Sequence, residues 1–236
     1  MFIIFAPSLR NFLYRLLMQG TNEFDLKALA WDNNPMHFDR SAAISKKMIK
    51  VLPLNKEMSA LEFGAGTGIL SFLLKDNVKE ILMIDSSVEM INITSRKIEA
   101  ARISNLKTMV FDLDKKLFSD KSFDLIFTQM VLHHVSDIQA MFEKFHSMLN
   151  PGGYLAIADL FKEDGSFHGE GFSGHNGFNP DEMKTILNRC GFQVISLEEC
   201  FVIERKSSDD VTKKYPVFLL TARLNGHIIR TDQPCR

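Results

Sequence analysis

Three glycines in the segment LEFGAGTGIL, residues 61–70, lie between two apolar runs and predict a tight turn between a strand and a helix. Gly64 permits the turn, Gly66 lets the backbone approach a ligand, and Gly68 lets the helix pack close to the strand. Asp85 ends the next predicted strand, where its carboxylate could accept hydrogen bonds from both hydroxyls of a ribose. These residues together predict a site for a nucleotide or nucleoside.

The spacing of the glycines narrows the class of ligand. The dinucleotide fingerprint is G-x-G-x-x-G, whereas this chain has G-x-G-x-G and places Ile69 where the last glycine would be. A pyrophosphate needs an unobstructed helix N-terminus, and a ligand without phosphates does not. The turn by itself leaves dinucleotides and other nucleoside ligands both open.

Composition excludes several function classes. The chain of 236 residues has a net charge of −1, so it lacks the overall basic field that recruits nucleic acid or anionic lipid. The cysteines, Cys190, Cys200 and Cys235, are far apart, which argues against a disulfide framework or a zinc site and favours a reducing, cytoplasmic location. No histidine pair has the helical H-E-x-x-H spacing, so we expect no metal.

The segment of residues 1–22 is predicted to be an N-terminal extension. Its apolar stretch is interrupted too often to cross a bilayer, so we expect no stable membrane insertion. A transit peptide, a membrane-surface helix, an extra packed helix and an upstream start codon all remain open for it. Residues 23–57 are predicted to form a helical cap segment, with a turn at Asn33-Asn34-Pro35, and residues 58–236 the main domain.

Beyond residue 58, short apolar runs alternate with segments of helical period, which predicts an α/β fold. The sequence Ser86-Ser87-Val88-Glu89 predicts a capping box after the second strand. The predicted parallel strands are residues 58–63, 80–85, 106–112, 123–129 and 153–160. Two further apolar runs are joined by the charged loop of residues 205–214, which is too short for a crossover helix, so they must be antiparallel. We therefore expect a Rossmann-like, mostly parallel, seven-stranded sheet with helices on both faces and a C-terminal antiparallel β-hairpin.

Five segments in a fixed order identify a protein family more specifically than the glycine turn does alone. LEFGAGTG, MIDSSVEM, VFDLDKKLF, FDLIFTQMVLHHV and LNPGGYLAIADL resemble, in order and spacing, the successive motifs of class I S-adenosylmethionine-dependent methyltransferases. The resemblance covers about residues 25–224 and is greatest to the small-molecule branch that includes the ubiquinone/menaquinone-biosynthesis type. It implies that S-adenosylmethionine is the cofactor.

The resemblance also implies roles for residues by position. Glu62 and the glycines would surround the methionine part of the cofactor, Asp85 the ribose, and Asp112 the adenine amino group. The full set of implied cofactor-binding residues is Glu62, Gly64, Ala65, Gly66, Gly68, Asp85, Ser86, Met90, Asp112, Leu113, Gln129 and Met130. The alternatives are that Glu62 only ties down the turn, that Asp85 serves the helix start, that Met90 is core, and that Asp112 is a loop carboxylate.

Histidines are the candidates for a general base, because an imidazole exchanges protons near neutral pH. His133 and His134 follow the fourth strand, close to the expected position of the methyl group, although one of them could simply bond the backbone. His168 and His175 lie in the glycine-rich loop of residues 161–178, where they could contact the acceptor or fix the loop. Trp31, the single tryptophan, could cover the site or anchor the cap.

The fourth strand is not followed by the Asn/Asp-Pro-Pro-aromatic motif typical of enzymes that methylate base amino groups, so we expect no nucleic-acid substrate. A small, partly apolar acceptor and a monomeric or homodimeric enzyme are expected instead. A non-catalytic S-adenosylmethionine-binding or interaction module is the main alternative. A nicotinamide-dependent dehydrogenase is disfavoured by Ile69 and by the hairpin.

Overall fold

A computed structural model describes residues 23–206 and 210–225 of the chain. Its centre is a seven-stranded sheet in the order β3-β2-β1-β4-β5-β7-β6. The strands are β1 Ser59–Phe63, β2 Glu80–Asp85, β3 Leu106–Val110, β4 Phe123–Gln129, β5 Leu149–Leu160, β6 Phe192–Lys206 and β7 Thr212–Leu224. The described helices are α1 Glu23–Trp31, α2 Pro35–Val51, α3 Ile69–Leu74, α4 Val88–Ala101, α5 Ile138–Met148 and α6 Pro180–Arg189.

The first five strands pair in parallel, as their uninterrupted apolar runs predict. The last strand, β7, runs antiparallel between β5 and β6, so the predicted C-terminal hairpin is confirmed. The strand order reverses beside β1, between β1 and β4. In open α/β sheets, such a reversal opens a crevice at the carboxyl ends of the strands, where ligands bind.

Helices cover both faces of the sheet, because neighbouring residues of a strand point to opposite sides. In β4, Ile126 packs in a core cluster with Phe142 of α5, whereas Phe127 packs on the other face with Met48 of α2 and Leu70 of α3. The predicted layer arrangement is therefore confirmed. None of the helices in the described residues is long and apolar enough to cross a membrane.

Some element boundaries differ from the predictions. Strand β3 ends at Val110 rather than at Asp112, because the chain turns away once the amide of Phe111 has bonded the carbonyl of Asp85. Strand β5 begins at Leu149, directly after α5, and not at residue 153. The cap of α4 is Ser87, which accepts from the amide of Met90, so the capping box predicted from Ser86 was one residue early.

The segment of residues 23–57 contains two helices on either side of the predicted turn. Asn34 caps α2 by accepting from the amide of Met36, and Pro35 occupies the first helical position. The division from the main domain at residue 58 stays a prediction. The predictions for residues 1–22, and Cys235, lie outside the described residues.

Candidate cofactor and acceptor site

A cavity of about 730 Å³ opens at the carboxyl ends of β1, β2 and β4, where the strand order reverses. Most of the residues predicted for the site line it. They are Trp31, Gly64, Ala65, Gly66, Asp85, Ser86, Met90, Asp112, Leu113, Gln129, Met130, His133, His134 and His168. Three predicted residues do not line this cavity, namely Glu62, Gly68 and His175.

The glycine turn forms one wall of the cavity. Gly64 has a φ of +68°, and a β-carbon there would lie 2.4 Å from Cγ2 of Val131, so only glycine fits. Around Gly66, with a φ of +55°, the space is open apart from the sulfur of Met90 at 3.9 Å, which leaves room for a ligand against the backbone. Gly68 lies behind the turn, where a β-carbon would be 2.8 Å from Cγ2 of Thr94, so it serves the packing of α4.

Asp85 connects the end of β2 to the glycine turn. Its Oδ2 accepts from the amide of Gly66 at 2.8 Å, and its Oδ1 accepts from the amide of Ser87 at 2.8 Å. Burial raises the pKa of the Asp85 carboxyl, and these two hydrogen bonds oppose the shift. Each carboxylate oxygen has a second lone pair, so Asp85 could accept hydroxyl donors while it holds the turn.

Glu62 lies beneath the same turn and is completely buried. The hydroxyl of Ser71 donates to its Oε2, whereas its Oε1 has no hydrogen-bond partner among the described residues. Burial raises the pKa of Glu62 to about 8. Glu62 lies behind the cavity wall and does not line it, and an ammonium group held at the glycine turn, such as that of a methionine moiety, would stabilise its ionised form.

Asp112 lies at the other end of this part of the cavity, in the loop after β3. Its Oδ1 accepts from the amides of Asp114 at 3.1 Å and Lys115 at 3.4 Å, and its Oδ2 pairs with the ammonium of Lys115 at 2.7 Å. The side chain is therefore held by its own loop. Its contacts fit the loop-carboxylate alternative, although Asp112 also lines the cavity.

The two N-terminal helices are fastened over the cavity by hydrogen bonds to the glycine turn and to α4. Oδ1 of Asp25 accepts from the hydroxyl of Ser87 at 2.5 Å. Oδ1 of Asp32 accepts from the hydroxyl of Thr67 at 2.6 Å. Because these acceptors belong to α1 and the turn after it, the position of the cap is coupled to the elements that form the candidate cofactor end.

A further contact joins α2 to the end of β4. Oγ of Ser41 lies 3.0 Å from Oε1 of Gln129, a predicted cofactor-binding side chain, and 2.8 Å from the carbonyl oxygen of His37, so its one proton is shared between two acceptors. Trp31 stacks on His37 with ring centroids 4.2 Å apart, and both rings line the cavity. His37 was not among the residues predicted from the sequence.

Three imidazoles meet at the other end of the cavity. The ring centroid of His133 is 4.3 Å from that of His134 and 4.9 Å from that of His168. One nitrogen of each ring lies within 4.8 Å of one nitrogen of the other two. The expectation that no metal binds rested on spacing along the chain, and it stays a prediction, because this cluster is assembled by the fold and not by a local motif.

His133 is fixed by a buried carboxylate that the sequence analysis did not single out. Oδ1 of Asp159 lies 2.7 Å from Nδ1 of His133, and its Oδ2 accepts from the amide of the same residue at 3.3 Å. A carboxylate accepts, so Nδ1 carries the proton and Nε2 is left as an acceptor. Asp159 ends the predicted fifth strand, and a carboxylate at the carboxyl end of a parallel strand was the signal that could have revealed it.

The two histidines of the glycine-rich loop have different environments. His168 stacks on Phe172 with centroids 3.8 Å apart, and its buried Nε2 has no partner among the described residues. Burial, helped by the nearby charges of Arg205 and Lys27, lowers the pKa of His168 to about 4. His175 lies outside the cavity: its amide donates to the carbonyl of His133 at 2.7 Å, and its Nε2 lies 2.9 Å from the carbonyl of Val135. These contacts favour the loop-fixing alternative for His175.

Comparison with known proteins gives the same picture. A family model described as a methyltransferase domain matches residues 36–197. The chain is 32% identical over 169 residues to an uncharacterized methyltransferase of Schizosaccharomyces pombe. This alignment covers 64% of this chain and 57% of that protein. It is 30% identical over 116 residues to phosphoethanolamine N-methyltransferase 3 of Arabidopsis thaliana, in an alignment that covers 49% of this chain and 24% of that protein.

A solved structure shares the fold. Phosphoethanolamine N-methyltransferase 2 of Haemonchus contortus, in complex with phosphomonomethylethanolamine and S-adenosylhomocysteine, superposes with a TM-score of 0.62 at 17% identity. The match covers 79% of this chain and 52% of that one. The chain thus spans between a quarter and somewhat more than half of the length of these relatives.

Proposed function

Because the chain belongs to the family of class I S-adenosylmethionine-dependent methyltransferases, we propose that it transfers a methyl group from S-adenosylmethionine to a small-molecule acceptor. The observation that carries the proposal is the cavity at the carboxyl ends of β1, β2 and β4, walled by a glycine turn that Asp85 ties to β2, with the buried carboxyl of Glu62 beneath that turn. Together these groups fit the ammonium and the ribose of one ligand.

When bound, the cofactor would supply a methyl group on a positively charged sulfur: an acceptor nucleophile would form a bond to the methyl carbon while the carbon–sulfur bond breaks and S-adenosylhomocysteine leaves as a neutral thioether. What the chain must do is hold the two reactants in register and exclude water, and alignment alone can lower a barrier by roughly 7–11 kcal/mol. The hydrogen bonds from α1 and α2 to the turn, to α4 and to Gln129 support this role, because they hold a lid over the cavity.

The acceptor end is proposed to lie between the cap, the three histidines and the loop of residues 161–178. His133, held by Asp159, is proposed as the group that removes a proton from the acceptor. Trp31 and His168 are proposed to contact the acceptor, because both line the cavity. His175 is proposed to act on the acceptor end only by holding the loop against the carbonyl of His133.

The relatives support a small acceptor. Two of the proteins that the chain resembles are named for methylating phosphoethanolamine. A dehydrogenase is disfavoured because Ile69 replaces the last glycine of the dinucleotide fingerprint and because the sheet ends in an antiparallel hairpin. A cytoplasmic location, a monomeric or homodimeric state and the absence of a nucleic-acid substrate stay predictions from the sequence.

Calorimetry on the purified chain tests the proposed function. We expect S-adenosylmethionine to bind at one site per chain and NAD⁺ not to bind. A screen of a metabolite extract with methyl-labelled cofactor should then yield labelled products and so identify an acceptor. Binding of neither ligand would show that the proposed function is wrong, and cofactor binding without any labelled product would favour the non-catalytic alternative.

Replacing Asp85 by alanine is expected to weaken binding of S-adenosylmethionine at least about tenfold, because hydrogen bonds to a charged group contribute about 1.5–3 kcal/mol each. The matched control is Asp124→Ala. Asp124 also accepts a hydrogen bond from a backbone amide, that of Ser59 at 2.8 Å. It lies near the start of β4, at the amino ends of the parallel strands and so away from the cavity. Its loss should lower the melting temperature and leave cofactor affinity unchanged. Equal affinity in wild type and Asp85→Ala would refute the ribose assignment.

A further inference from the structure

The charged residues around the cavity are sorted by sign. The acidic lining residues Asp85, Asp112 and Asp114 lie at the ends of β2 and β3, where the cofactor is proposed to bind. The cationic lining residues are Lys27, Arg40 and Arg205, and they come from the cap helices and from β6. The exposed Glu170 is the acidic exception in the loop of residues 161–178. The acceptor end therefore has an excess of positive charge.

Arg40 is the most unusual of these cations, because only 6% of its surface is exposed. Its Nε has no hydrogen-bond partner among the described residues, and its NH1 makes one weak contact, 3.8 Å from the sulfur of Met36. Within the described residues, no carboxylate lies within 4.0 Å of its guanidinium. A buried cation without a paired anion is costly, and the fold keeps this one at the wall of a cavity.

Asp159 does not satisfy Arg40. Its charge stabilises the guanidinium from a distance, and burial nevertheless lowers the pKa of Arg40 to about 10, so Arg40 stays charged at neutral pH. Asp159 accepts from His133 and from the amide of Leu160, and no ion pair joins it to Arg40 among the described residues. The donors of Arg40 therefore remain available to a ligand.

Arg205 lines the same cavity. Its guanidinium lies 3.7 Å above the ring centroid of Phe167, and its NH1 donates to the carbonyl of that residue. Stacking of this kind holds the planar group in place without using all of its five donors. Arg205, Arg40, His37 and His168 all line this cavity.

We propose, on the basis of the function proposed above, that the methyl acceptor is an anion whose carboxylate or phosphate group binds between Arg40 and Arg205. The buried Nε2 of His168, which has no partner among the described residues, is placed to complete the site. The planar guanidinium groups suit either oxyanion, because both accept two parallel hydrogen bonds. A neutral or cationic acceptor would leave the buried charge of Arg40 uncompensated.

Anion binding can be measured on the full chain without knowing the acceptor. Sodium phosphate and sodium malonate are titrated separately into the protein, with and without S-adenosylhomocysteine, at an ionic strength kept constant with sodium chloride. Trp31 is the single tryptophan and lines the cavity, so its fluorescence reports on this space, and calorimetry gives the stoichiometry. We expect saturable binding at one site per chain; stronger binding of phosphate indicates a phosphate ester as acceptor, and stronger binding of malonate indicates a carboxylic acid.

Variants decide whether the arginines form the site. Arg205→Gln, at an exposed position, and Arg40→Gln are each expected to weaken binding of the preferred anion at least tenfold. The matched control is Arg223→Gln. Arg223 also lies over an aromatic ring, that of Tyr154, and donates to the carbonyl of Gly152, but it does not line the cavity. If Arg40→Gln fails to fold, Arg205→Gln still tests the site.

The outcomes separate this inference from the proposed function. Binding no tighter than that of chloride, or an equal loss in Arg223→Gln, would overturn the anion site even if S-adenosylhomocysteine binds. If S-adenosylhomocysteine does not bind but binding of phosphate or malonate still requires both arginines, the anion site is supported and the proposed cofactor is wrong. Affinity of each variant for S-adenosylhomocysteine should equal that of wild type, because the acidic end of the cavity is unchanged.

Discussion

Replacing Glu62 by glutamine is expected to weaken binding of S-adenosylmethionine by roughly 30-fold or more at pH 8, because losing one partner of a buried charge pair costs about 2–5 kcal/mol. The side chain is completely buried, and its Oε1 is an acceptor without a donor among the described residues. Glutamine keeps the size and the hydrogen bond to Ser71, so the change isolates the charge. Calorimetric titration of wild type and variant gives the difference directly.

The same residue makes cofactor affinity depend on pH. Burial raises the pKa of Glu62 to about 8, so in the free protein this carboxyl holds a proton at neutral pH. An ammonium beside it favours the ionised form, and binding must therefore release that proton. Affinity should rise as the pH increases towards about 8, and calorimetry in buffers of different ionisation enthalpy should detect the proton released by wild type and none released by Glu62→Gln. Identical pH dependence in both proteins would contradict the charge pair.

The stability of the cofactor-free protein should decrease as the pH rises, whereas the affinity for the cofactor increases. The pKa of Glu62 is raised from 4.5 to about 8 on folding, so between these values the folded chain keeps a proton that the unfolded chain has lost. The contribution of Glu62 to the free energy of unfolding therefore decreases as the pH rises through this window. Thermal unfolding at several pH values should show that Glu62→Gln removes this decrease.

Glu80 provides a matched control, because its pKa is shifted in the direction opposite to that of Glu62. It begins β2 at the other edge of the sheet, where Lys121 and Lys107 lower its pKa to about 2 through hydrogen bonds. Glu80→Gln should leave both the affinity for the cofactor and its pH dependence unchanged. A similar loss of affinity in the two variants would show that general electrostatics, and not a specific contact at Glu62, governs binding.

The elements that the sequence predicted well are those whose signals are local. The glycine turn, the carboxylate of Asp85 and the first five strands each depend on neighbouring residues, and all of them are found near the predicted positions. The hairpin was predictable because the loop of residues 205–214 is too short for a crossover helix. Local patterns fix such features because backbone geometry acts within a few residues.

The features that the sequence did not reveal depend on contacts between distant segments. Arg40 belongs to a cap helix and Arg205 to β6, and only the folded chain brings both to one cavity. His168 and His175 were equivalent in the sequence, whereas the turns of their loop direct one ring into the cavity and the other to the carbonyl of Val135. Their spacing of seven residues does not predict which way either ring points, because the glycines between them allow many backbone conformations.

Replacing Asp159 by asparagine is expected to lower kcat by roughly 10²–10⁴-fold, the usual contribution of a positioned general base, with little change in KM. The carboxylate holds Nδ1 of His133 at 2.7 Å, and both side chains are almost completely buried. Asparagine could present its amide hydrogens instead, which would favour the opposite tautomer and remove the acceptor at Nε2. Asp159 is in this account a positioning residue, and His133 is the group that takes the proton.

Rates with an acceptor found in the metabolite screen, measured against pH, check this arrangement. His133→Ala should lose as much activity as Asp159→Asn, and the double variant should lose no more than either, because the two residues act as one unit. Both losses should appear in kcat rather than in KM. His146→Ala, a histidine on α5 that packs against Phe192, should behave as wild type.

The neighbouring imidazole provides the decisive comparison. His134 lines the same cavity and lies 4.3 Å from His133 between ring centroids, but the carboxylate of Asp159 bonds His133. If His134→Ala cost more in kcat than His133→Ala, the roles of the two histidines would have to be exchanged. If Asp159→Asn lowered the melting temperature but left kcat and the pH profile intact, the pair would only stabilise the fold. Because a buried carboxylate fixes one ring nitrogen and directs the other, we expect the activity, and not only the stability, to depend on it.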